Sequence, residues 1–149
     1  MKSLFDAAGH SDIVGRLTAL EAGSVRQWGK MNCAQMLCHC AVPLECGTGE
    51  RPSRQSFLGK IITPLIRRSV LGEKPFKKNS PTDPTFVVSD ERDFEAERTR
   101  LLGLIRRFVD AGPPAAAKQM HPFFGRLTGD QWGVLMYKHL DHHLRQFGR

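Results

Sequence analysis

The chain of 149 residues has no apolar run approaching the roughly 18 residues that would cross a bilayer. Its opening, MKSLFDAAGHSDIVGRL, is interrupted by Asp6 and His10 where a signal peptide would be continuously apolar. The expected location is therefore the cytoplasm, with no membrane partner. A disulfide framework is missing too. Cys33, Cys38, Cys40 and Cys46 fall in one short segment, whereas structural disulfides tie distant loops together. The spacing lacks the paired C-x-x-C of a structural zinc site, so these are expected to be buried free thiols packing as small hydrophobes. There is no internal repeat and no strand-rich region.

What is present fits one compact domain spanning residues 1–149: 40% of residues are hydrophobic, enough for a core. The net charge is +7, and it is local. Between residues 51 and 78, Arg51, Arg54, Lys60, Arg67, Arg68, Lys74, Lys77 and Lys78 face the single acid Glu73, and the rest of the chain is neutral overall. Such a patch can attract an anionic partner. No nucleic-acid motif or interleaved aromatics accompany it, so nucleic acid is not the expected partner, and a hydrated face is the simplest account.

Five helical stretches are predicted. The first covers residues 12–20, with Ser11 as N-cap and Ile13, Leu17 and Leu20 at helical spacing, a short appendage. The second starts at Asn32, where Asn32 and Gln35 stand in capping-box positions, and ends at Gly47 with Pro43 inside it. The third, residues 56–71, carries an apolar stripe of Phe57, Leu58, Ile61, Ile62, Leu65 and Val70. A long loop follows, in which TFVV, residues 85–88, has strand character. The fourth is capped by Ser89 or Asp90, lined by Phe94, Leu101, Ile105 and Phe108, and stopped by AGPPAAA. The fifth begins at a second capping box, Thr128 and Gln131, and runs to about Phe147. Four long helices and a short one read as an all-α bundle.

Three histidines stand close together in the last helix, in KHLDHHLRQFG. At 100° per residue His139 and His143 are about 40° apart and share their stripe with Trp132, Leu135 and Met136, which faces the core. Imidazoles one turn apart can converge on one ion through bonds of about 2.0–2.1 Å. His142 lies about 60° aside, an i, i+3 neighbour of His139 that the spacing alone leaves open as a ligand. The only other histidine on a well-capped helix is His39, on a core-facing stripe with Gln35, Met36 and Val42. Burying imidazoles without partners costs several kcal/mol in total, which a shared metal ion would offset. His10 and His121 lie outside these helices, and His121, in the turn HPFFG, reads as a structural loop residue. Trp28, Trp132, Phe123 and Phe124 are candidates for filling the bundle ends or walling a cavity, and Asp141 for an outer-face ion pair.

The stretches QMLCH and HLDHHLRQ, with WGKMNCAQMLCHC, PFKKNSPTDP and HPFFGRLTGDQWGVLMYKHLDHHLRQFG in order, resemble the DinB/YfiT-like superfamily. More narrowly they resemble a bacterial branch of it carried as a domain of unknown function. The resemblance covers nearly the whole chain and implies a four-helix bundle with a short extra N-terminal helix. It implies the metal ligands His39, His139 and His143, with Gln35 and Gln146 behind them and His142 outside the set. The last ligand is followed here by L-R-Q, where the superfamily commonly has R-G-Q. The implied cofactor is a divalent ion, Zn, Ni, Fe or Mn. The implied activity is that of a metal-dependent thiol transferase or hydrolase acting on a small-molecule thiol or electrophile, with no catalytic residue identified and a homodimer as the implied assembly. The alternative is a non-catalytic module whose basic segment, residues 51–78, engages an anionic partner.

Overall fold

The computed structural model describes residues 1–72, 74–80 and 86–149. Among them are five helices: α1 (Ala7–Thr18), α2 (Cys33–Thr48), α3 (Phe57–Val70), α4 (Phe94–Ala116) and α5 (Gly129–Gln146). The all-α bundle is thus observed. One small element was not foreseen: β1 (Met120–His121) and β2 (Gly125–Arg126) pair antiparallel, with His121 opposite Gly125, and form a hairpin between α4 and α5. Four residues of strand are too few to show an alternating pattern. Of the expected strand at residues 85–88, residue 85 lies outside the described residues, as do residues 81–84 of PFKKNSPTDP, and residues 86–88 form no strand.

Both capping boxes are present. The Asn32 side chain accepts from Gln35 N at 2.9 Å, and Gln35 Oε1 accepts from Asn32 N at 2.9 Å. Thr128 and Gln131 repeat the arrangement at the start of α5. Each box satisfies two backbone groups that would otherwise lack partners and fixes where its helix enters the core. Helix α2 passes through Pro43 and stops at Gly49, whose φ of 81° is the left-handed conformation that glycine adopts without penalty. Helix α4 is capped by Asp93 rather than Ser89 or Asp90, its carboxylate accepting from Ala96 N at 2.7 Å. It breaks at Gly112 (φ 75°, ψ 175°) and resumes for one turn through Pro113 and Pro114 instead of stopping there.

The core lies between α2, α4 and α5, with α1 against α5 and α4. Its fully buried side chains include Leu37, Leu44, Leu101, Ile105, Phe108 and Trp132. Gly47 permits this packing, because a Cβ there would approach the Phe108 ring to 2.8 Å and the Trp132 ring to 3.2 Å.

The short N-terminal helix is not an appendage. It begins at Ala7, so that Ser11 lies within it, and Ile13 and Leu17 are completely buried. Tyr137 of α5 donates to Asp12 at 2.7 Å, and Arg16 pairs with Asp141 at 2.9 Å. The helix expected to contribute a core stripe, α3, stands outside: Phe57 and Leu65 are 80% and 81% exposed. It is held by Val70, which packs against the core at its C-terminal end, and by polar contacts. Thr63 Oγ1 donates to the Phe123 carbonyl at 3.0 Å, and Lys138 Nζ donates to the carbonyls of Val70 and Gly72 at its C-terminus.

Candidate metal centre

Helices α2 and α5 pack against each other, and their inward stripes carry the histidines. His139 and His143, one turn apart on α5, have ring centroids 4.8 Å apart. His39, from the middle of α2, lies with its ring 5.0 Å from that of His139 and 4.7 Å from that of His143. One nitrogen of each ring falls within 4.8 Å of the other two, and His39 Nε2 stands 3.0 Å from His139 Nε2. His39 and His143 are buried, and His139 is half-buried.

Their neighbours determine where the protons sit. The Nδ1 of His39 is 2.8 Å from the Phe86 carbonyl, which can only accept, so this nitrogen carries the proton and Nε2 keeps its lone pair. The Nδ1 of His143 is 2.8 Å from Gln146 Oε1. The orientation of that amide is set by its other end, since Gln146 Nε2 donates to the Trp28 carbonyl at 2.7 Å. His143 must therefore donate through Nδ1, leaving Nε2 free to bind. Two rings thus have an outer hydrogen bond of the type that orients metal-binding imidazoles and raises their basicity as ligands.

Electrostatics keep the rings neutral. Burial, followed by the nearby imidazoles His143 and His39, holds His139 well below the ordinary histidine range. Burial first, and then His39, pushes His143 down to about 3. Burial also lowers His39, against the opposing hydrogen bond to Phe86. At neutral pH all three are uncharged bases. Two lone pairs 3.0 Å apart repel, so the space between His39 and His139 requires either a proton on one Nε2 or a cation. Three neutral imidazoles suit a divalent first-row ion, and three protein ligands leave a coordination position open.

Other residues singled out from the sequence fall elsewhere. Gln146 touches the cluster, but Gln35 does not: its amide is engaged in the capping box and with the Asp90 carbonyl at 3.0 Å. The N3 position of a helix turns its side chain back toward the cap, which corrects the expectation for this residue. His142 stands aside, its ring 5.1 Å from that of His143 and 5.9 Å from those of Trp28 and Phe76. His121 is structural, its Nδ1 accepting from the N–H groups of Phe123 and Phe124 at 3.0 and 3.1 Å. Burial pushes it to about 3. Trp132 is core, and Asp141 pairs with Arg16 and Arg145 on the outside. The four cysteines are buried and free, and burial raises every one of their thiols, Cys33 to about 11, so none is a thiolate at neutral pH.

The carbonyls of Phe86 and Trp28 escaped the sequence reading. Every residue has a carbonyl, so no residue type marks them; for Phe86 the one sign was its place in a loop longer than a connection needs, and for Trp28 there was none. A cavity of about 390 Å³ also opens beside the cluster, lined by Trp28, Phe76, Lys78, His142, Arg145 and Arg149 among others. His142 lines it, with its ring 5.1 Å from that of His143.

Neither a curated protein nor a solved structure matches this chain. A family model does match residues 4–149, nearly the full length, and the chain therefore belongs to that family, described as a protein of unknown function, DUF1569.

Proposed function

We propose that residues 1–149 act as one DinB-like domain that binds a divalent metal ion through His39, His139 and His143. The observation that carries this reading is their convergence with outer protons pinned: His39 to Phe86, and His143 to a Gln146 amide itself held by Trp28. The superfamily resemblance names the same three residues independently. An ion bound there would supply Lewis acidity, lowering the pKa of a coordinated water or thiol toward neutrality. The chain's own contributions are distinct. The Phe86 carbonyl and Gln146 orient the imidazoles, and burial keeps them deprotonated. Trp28, Phe76, Lys78 and His142 wall the neighbouring cavity, where a small substrate with an apolar body and a negative group would fit. A metal-dependent thiol transferase or hydrolase is the reaction class this arrangement supports.

Protein purified without an affinity tag should contain close to one equivalent of Zn, Ni, Fe or Mn by elemental analysis. His139→Ala should lose it. Metal-free protein whose thermal stability is unchanged by each of these ions would refute the reading.

A further inference from the structure

Helix α3 turns most of its bulky apolar residues outward, while its anchored side is mixed, with Val70 packed against the core beside small and polar residues. A Cβ at Gly59 would collide with the Phe123 carbonyl, and Thr63, on the same side, is buried. Arg67 donates to the Arg126 carbonyl at 3.1 Å and to Gln131 Oε1 at 3.0 Å. Opposite this anchored side, Phe57, Leu58, Ile61 and Leu65 are 80%, 49%, 55% and 81% exposed and span about 100° of the helical wheel. Exposed cations accompany them: Arg54 just before the helix, Lys60 at the border and Arg68 one turn beyond Leu65. Residues 51–78 contain eight cations and one acid.

We propose that α3 docks on an anionic lipid bilayer surface. It would lie in the headgroup plane, with Phe57, Leu58, Ile61 and Leu65 at the acyl boundary and Arg54, Lys60 and Arg68 among the phosphates. An apolar face combined with basic residues is the pattern of helices that lie in this interface, and the lipid charge complements the segment's own. At about 1.5 Å per residue the 14-residue helix is about 21 Å long, too short to span the hydrocarbon core, and no helix among the described residues is long and apolar enough to cross it. The membrane excluded on the ground of length therefore returns as a surface.

Two other occupants fit less well. In a twofold dimer this patch would meet itself, opposing Lys60 and Arg68 to like charges, and four side chains on one helix fall short of the ~800 Å² per partner that a stable interface needs. Nucleic acid would match the charge but leave Ile61 and Leu65 uncovered. The proposal is independent of the metal, because none of its residues touches the histidine cluster.

The test is co-flotation of the full chain with vesicles of phosphatidylcholine alone or mixed equally with phosphatidylglycerol. At low salt the protein should partition into the mixed vesicles at least roughly tenfold better, and about 1 M salt should weaken this. Ile61→Asp with Leu65→Asp, and separately Lys60→Glu with Arg68→Glu, should each reduce partitioning at least roughly tenfold, with circular dichroism unchanged because all four side chains are exposed. His139→Ala should still float, so failure of the metal reading would leave this one standing. The proposal is overturned if the wild type stays off the mixed vesicles, or if the folded variants float equally well. It is equally overturned if the apolar variant converts a dimer to monomers without vesicle binding, or if duplex DNA competes the protein off the lipid.

Discussion

At the scale of single residues, Gln146 ties α5 to the segment before α2: it accepts a hydrogen bond from His143 Nδ1 and donates to the Trp28 carbonyl. Gln146→Leu keeps the volume but removes the acceptor, so His143 loses the bond that selects its tautomer. Metal affinity is expected to fall about 10–100-fold, measured by competition with a chelating dye. His121 makes a different prediction. Its folded pKa, about 3, lies below the unfolded value of about 6.5, so the unfolded chain takes up the proton first as the solution is acidified. The stability tied to its neutral ring is fully present above pH ~6.5 and is lost as pH falls toward 3, by about 1.4 kcal/mol per pH unit. Urea unfolding of metal-free protein between about pH 7 and 4 should show a slope for His121→Asn shallower by roughly one proton.

At the scale of elements, the caps were legible because a capping box is complete within four residues and needs nothing beyond them. Thr128→Ala should cost about 1 kcal/mol by urea unfolding, since it strips the acceptor from Gln131 N. The burial of α1 and the exposure of α3 were not legible. Periodicity shows that a helix has an apolar side, but what covers that side depends on the rest of the chain. Leu17 and Leu65 look alike on their wheels, yet Leu17 is 1% exposed and Leu65 is 81% exposed. Leu17→Ala should therefore cost about 2–5 kcal/mol, and Leu65→Ala no more than about 0.5 kcal/mol, in the same unfolding experiment.

At the scale of the molecule, an ion held by His39, His139 and His143 would join α2 to α5 across 100 residues of chain. Binding only to the folded state raises stability by mass action, about 2.7 kcal/mol when the free ion is a hundredfold above its Kd. Thermal unfolding should shift upward with added metal, and the shift should vanish in His39→Ala.

The sequence by itself determined the helical periods, the two capping boxes, the free thiols and the inward placing of His139 and His143, because each depends on residues within a turn or two of one another. It also contained His39, but only the tertiary structure brought that ring to 3.0 Å from His139, gave its Nδ1 the Phe86 carbonyl and assigned Gln35 to a cap. The same long-range packing decided that α1 enters the core and α3 turns its apolar face to solvent. The physical reason is common to these cases. Local hydrogen bonds select a helix and its ends, whereas burial and side-chain partners depend on distant segments whose carbonyls and surfaces leave no mark at the position they act upon.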